Sequence, residues 1–96
     1  MTTKQTLQKT LALLKKRGWC QHVSNDTRTG SYCVIGALSE VSMQNDGALY
    51  THPKDVIMRA MRIHTYKQDH IIAWNDTRGR TKAQVYKVLR TAIKLA

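Results

Sequence analysis

Six cations crowd the C-terminal end of the chain: Arg78, Arg80, Lys82, Lys87, Arg90 and Lys94, with no acidic side chain from Thr77 to Ala96. A row of one sign neutralises several phosphates without needing base-specific contacts. At about 100° per residue, Arg80, Lys87, Arg90 and Lys94 gather on the side of a helix opposite Val85, Val88, Leu89, Ala92 and Ile93. The bland alternative is a solvated helix face, but such faces interleave both signs. These six residues are therefore the expected binding surface for an acidic partner.

Other chemistries are weaker. Cys33 stands near the beginning of an expected helix, where the dipole lowers a thiol's pKa, and His70 and Asn75 follow in the order used by papain-like hydrolases. Chain order is not geometry, however, and the cysteine sits in an apolar stretch where thiols are usually inert packing. Cys20 and His22 are too close in sequence for a familiar metal pair, and neither CxxC nor HExxH is present, so no metal and no cofactor is expected. Gly79-Arg80-Thr81 leads into a helix N-terminus that would accept a phosphate, a weak signal on its own.

The totals agree with a binding protein. The chain has 96 residues, 16 Lys and Arg against six Asp and Glu, and a formal net charge of +10. Such a surface attracts polyanions, and nucleic acid, an acidic protein or an anionic membrane would all satisfy it. A hydrophobic fraction of 42% is near that of folded domains, so one self-sufficient core is expected over residues 1–96. No apolar run approaches the roughly 18 residues of a membrane span, and no leader precedes Gly18, which points to the cytoplasm. Two cysteines are too few for a disulfide framework.

The elements that must position the basic row are mostly helices. Leu7, Leu11 and Leu14 recur at helical spacing between Thr2 and Arg17; Thr2 or Thr3 caps the start and Gly18 stops the end. Trp19 to Val23 reads as a short extended piece, and Ser24 to Gly30 as a loop. Ser31 is the expected cap of a second, buried helix carrying Val34, Ile35, Ala37, Leu38 and Val41, although Tyr32, Val34 and Ile35 also suit a strand. After a turn at Asn45, Asp46 and Gly47, Pro53 occupies the first position of a third helix. That helix turns Val56, Ile57, Ala60, Met61 and His64 inward, and Arg59, Arg62 and Lys67 outward. The run HIIAWND, from His70 to Asp76, is too short for its pattern to separate strand from extended loop. Thr81 with Gln84 makes a capping box for the last helix.

Gly18-Trp19, the CVIGAL stretch from Cys33 to Leu38, and WNDTRGRT from Trp74 to Thr81 carry a resemblance. The chain resembles a family of small phage and bacterial proteins of unknown function that share GW, C-x-x-GAL, and WND followed by G-R-T before a final helix. The resemblance implies a context, an accessory factor acting on host nucleic acid, host machinery or a defence system, and no residue roles. Physically, Trp74 would anchor a corner, Asn75 and Asp76 would favour its turn, and Thr81 would cap the next helix.

The expectation is a mainly α domain, α+β being the alternative, with about four helices and one or two short extended segments. Its expected role is binding DNA or RNA through Arg78, Arg80, Lys82, Lys87, Arg90 and Lys94. The rival is an inhibitor whose same cations engage an acidic host protein, and a small cysteine hydrolase is third. Leu13, beside the leucine stripe of the first helix, is the one hint of a homodimer.

Overall fold

Reciprocal caps start the first and last helices. In the computed structural model, which describes residues 2–43, 51–63 and 69–96, Thr2 accepts from Gln5 N while Gln5 returns a bond to Thr2 N, opening α1 (Thr3–Arg17). Thr81 and Gln84 repeat the arrangement at the start of α5 (Lys82–Leu95). Two otherwise unsatisfied N-terminal donors are met in each case, and the start of each helix is fixed by its own sequence. Gly18 ends α1 at φ 97°, its N–H reaching Leu14 O.

Between them lie α2 (Val34–Met43), α3 (Thr51–Ala60) and α4 (Asp69–Asn75). The described residues thus form the expected mainly α fold, with five helices against the about four expected, and the additional one is HIIAWND, expected as a strand or extended loop. Ile71, Trp74 and Asn75 follow the i, i+3, i+4 spacing of one helical face, but a polar residue in the third position hid the stripe. Tyr32 makes isolated bridges to Trp19 and Asn25, which is all that becomes of the expected extended segments. Val34 and Ile35 are helical, so the strand alternative ends at Tyr32. Pro53 is the third residue of α3, still within the first turn, where its missing N–H breaks no intrahelical bond. The expected turn at Asn45, Asp46 and Gly47, and the inward His64 and outward Lys67, lie outside the described residues.

α1 packs against α2, α3 and α5; α5 also packs on α3, and α4 closes against α2 and α3. Leu7, Leu14, Val34, Leu38, Ile57, Ile71, Val85 and Leu89 form the driest part of the single core. At about 25 cal/mol per Å² of apolar surface buried, such side chains supply most of the drive to fold. Thr6 and Thr10 are also buried, which the leucine stripe alone does not suggest. Each hydroxyl donates to the carbonyl one turn earlier, Thr2 O and Thr6 O, so neither arrives in the core unsatisfied. Leu13 packs at the margin of the core.

The loop after α1 is drawn onto the start of α2. A Cβ at Gly36 would stand 1.9 Å from Ser24 O, so this approach requires glycine. Ser31, the expected cap of α2, instead shares a hydrogen bond with Thr29 Oγ1. Cys33 takes its place: its carbonyl accepts from Ala37 N and its sulfur from Gly36 N at 3.2 Å. The first N–H of α2, on Val34, goes to Asn75 Oδ1 at 3.1 Å.

Asn75 is 1% exposed and uses both ends of its amide. Oδ1 also accepts from Trp19 Nε1 at 2.7 Å, while Nδ2 donates to Cys20 O and to Asp76 Oδ1. Asp76 Oδ1 accepts from His22 N as well, where the backbone turns left-handed at φ 73°. Gln21 Nε2 bonds to the carbonyls of Asn75 and Thr77, so the segment after α1 is stitched to the segment after α4. The three stretches that carry the family resemblance meet at this amide.

Replacing Asn75 by Ala leaves the partly buried Trp19 Nε1 and the buried Val34 N without their acceptor. At about 1–3 kcal/mol for each stranded polar group, Asn75→Ala is expected to lose about 3 kcal/mol of stability or more, read as a lowered urea midpoint. A loss below about 1 kcal/mol would show that the amide is not the tie described.

Candidate nucleic-acid interface

The turn from Asp76 to Thr81 is built on the end of α4. Asp76 N reaches Ile72 O, Thr77 Oγ1 reaches Ala73 O, and Arg80 N closes back on Thr77 O at 3.0 Å, with Gly79 at φ 85°. The turn projects Arg78 into solvent and delivers Thr81 to cap α5. Val85, Leu89 and Ala92 then enter the core and fix the rotation of α5 about its axis.

The turn and α5 place the six expected site residues in four groups, with Arg78 alone in solvent on the turn. Lys87, Arg90 and Lys94 are exposed and lie within about 60° of one another around the helix, over an axial distance of about 10 Å. Lys82, also exposed, lies about 140° round from Lys87 and one turn before Tyr86. Arg80 is not a free surface cation: its Nε donates to Trp74 O at 2.9 Å and its guanidinium lies 3.8 Å from the centroid of the Trp74 ring. It is half-buried, and its stack and hydrogen bond lock the turn to α4. Among the described residues, no carboxylate lies within ion-pair distance of Arg78, Lys82, Lys87, Arg90 or Lys94.

Packing extends the basic surface beyond what the C-terminal sequence suggests. α1 lies beside α5, with Lys15 Nζ 5.7 Å from the centroid of the Tyr86 ring. Lys4 is about 20° from Lys15 around α1 and shares its side. There is no acidic residue from Met1 to Asn25, nor from Thr77 to Ala96, so two acid-free helices adjoin. Lys4, Lys15 and Tyr86 were missing from the sequence-based site; the acid-free first 25 positions were the available signal.

The thiol chemistry is differently placed. Cys33 is 5% exposed, and burial pushes its pKa up, against the lowering by the Gly36 and Ile35 backbone hydrogen bonds. Both cysteines are free. Both ends of the Asn75 amide are engaged, leaving it no donor to orient an imidazole, and His70 lies about 140° from Asn75 around α4. Cys33, His22 and Asp76 line a hollow of about 190 Å³, below the roughly 300 Å³ at which ligand pockets begin. Among the described residues no three of His, Cys, Asp and Glu are grouped to hold a metal ion, and no helix is long and apolar enough to cross a membrane.

Two outcomes follow. Arg80→Ala removes a stack and a hydrogen bond and is expected to lower stability by about 1–2 kcal/mol, whereas Lys94→Ala changes it by less than about 0.5 kcal/mol; urea melts distinguish them. Because the Cys33 pKa is raised by folding, its contribution to stability is complete below the ordinary thiol pKa of about 8.5 and declines as pH rises toward the folded value. The stability difference between the native chain and Cys33→Ala therefore narrows between about pH 8 and about pH 10. A difference constant over that range would contradict the upward shift.

A model of the protein family described as "Family of unknown function (DUF6197)" matches residues 1–95. No curated protein and no solved structure matches the chain.

Proposed function

For a chain that belongs to this family of unknown function, we propose a role read from its own surface: it binds nucleic acid through the phosphates, along α5 and the neighbouring side of α1. The observation that carries this reading is the adjacency of two helices without acidic side chains, one presenting Lys87, Arg90 and Lys94, the other Lys4 and Lys15. Arg78 and Lys82 continue the surface around the α5 N-terminus. Cations on one face, with no carboxylate among the described residues in ion-pair reach of them, release counterions from a polyanion on contact.

Arg80 contributes indirectly, by holding the turn that aims Arg78 and starts α5. Contacts of this kind grip backbone rather than base edges, so binding is tolerant of sequence and steep in salt. An accessory role in a phage-type or bacterial cytoplasm, acting on nucleic acid or on the proteins that handle it, is the setting this activity suits.

The test is fluorescence anisotropy with labelled duplex DNA, single-stranded DNA and RNA across a salt series. With about five phosphates engaged, log K is expected to fall against log salt with a slope of about −3.5 on single strands and about −4.5 on duplex. The Lys87→Glu, Arg90→Glu, Lys94→Glu triple variant leaves Arg80 and the core untouched and is expected to lose at least about tenfold in affinity. Native protein that binds none of the three at low salt defeats the proposal, and an acidic protein partner then becomes the object of search.

A further inference from the structure

Two aromatic rings border the basic surface, each with a cation over its face, and they differ in how firmly that cation is held. The Arg80 guanidinium is 3.8 Å from the Trp74 centroid and is tied there by the bond from Nε to Trp74 O, so this ring is sealed. The Lys15 ammonium stands 5.7 Å from the Tyr86 centroid, and among the described residues no hydrogen bond holds it there. A cation over an exposed ring is worth about 0.5–1 kcal/mol. A nucleobase stacked on an aromatic side chain is worth about 1–3 kcal/mol. A base can therefore displace the ammonium, whose flexible stem lets it turn to an adjoining phosphate.

The surroundings of Tyr86 suit such an exchange. The ring packs on the margin of the core and is only partly exposed, so its position is set before any ligand arrives. Lys82 lies one turn before it and Arg90 one turn after it, each about 40° away around α5 and each exposed. Together they mark a track of about 12 Å with the aromatic ring at its centre. We infer that Tyr86 is the stacking platform of a single-stranded nucleic-acid site at the seam of α1 and α5, with Lys15, Lys82 and Arg90 holding the phosphates on either side. The inference rests on the nucleic-acid reading above and adds the form of the polymer. Bases in a duplex are stacked on one another and present only edges, so they offer no face to a ring on the flank of a helix.

The experiment compares native protein with Tyr86→Leu and Tyr86→Phe, both checked for helicity by circular dichroism. Probes are fluorescein-labelled oligothymidylate, oligouridylate, a strand of abasic sites and a duplex, all of equal length. Native protein is expected to bind oligothymidylate or oligouridylate at least about fivefold more tightly than the abasic strand. Tyr86→Leu loses about 5- to 100-fold on the base-bearing strands while its affinity for the abasic strand and the duplex stays within about twofold. Tyr86→Phe retains native behaviour because the ring remains. Equal losses on abasic and base-bearing strands, an unaffected Tyr86→Leu variant, or a native preference for duplex would each overturn the stacking site while leaving phosphate binding in place. Absence of binding to every probe overturns both.

Discussion

The fold depends on one buried amide. Asn75 joins the indole of Trp19, the first N–H of α2, the carbonyl of Cys20 and the carboxylate of Asp76, and thereby ties three distant stretches of chain at one point. A side chain of this kind enters an apolar interior at a cost of a few kcal/mol unless its hydrogen bonds are met. Here two donors reach its oxygen and its nitrogen finds two acceptors. The arrangement tolerates little displacement, because a shift of any partner strands a polar group away from water. The left-handed backbone at His22 and the contact of Gly36 with Ser24 are local consequences of drawing the loop after α1 into this junction.

That junction also governs where the basic surface lies. Asn75 ends α4, Asp76 to Arg80 turn back, and Thr81 starts α5, so the register from α4 to α5 is short and closely determined. Arg80 adds a second lock by clamping its guanidinium on Trp74. Once α5 begins in that place, Val85, Leu89 and Ala92 set its rotation, and Lys87, Arg90 and Lys94 face water as a consequence. A polar structural centre and a cationic surface are therefore linked through a few backbone bonds. Cys33 belongs to the first of these: its sulfur caps α2, and its burial favours the neutral thiol.

Much of this was legible in the residues. The leucine stripe, both capping boxes and the last helix follow from local rules, since spacing of three and four and a cap within three residues are properties of short segments. The expected membership of a family of unknown function agrees with the family matched over residues 1–95. HIIAWND was not legible as a helix because its third inward position is an asparagine. Its role as a buried hub has no signature in a sequence where Asn-Asp ordinarily means a turn. Ser31 is not the cap of α2 because the local acceptor is the Cys33 sulfur, three residues before Gly36 N, while the Asn75 amide that takes Val34 N arrives only once the chain has folded.

Charge, helical periodicity and the absence of acidic residues at both ends were determined by the sequence alone, because each is a count or a local pattern. Tertiary structure decided which cations lie together. It set α1 beside α5, brought Lys15 to Tyr86 and withdrew Arg80 onto Trp74. The physical reason is that a helix's own sequence sets the angles between its side chains, whereas its neighbours in space are chosen by the buried contacts it makes with segments far along the chain.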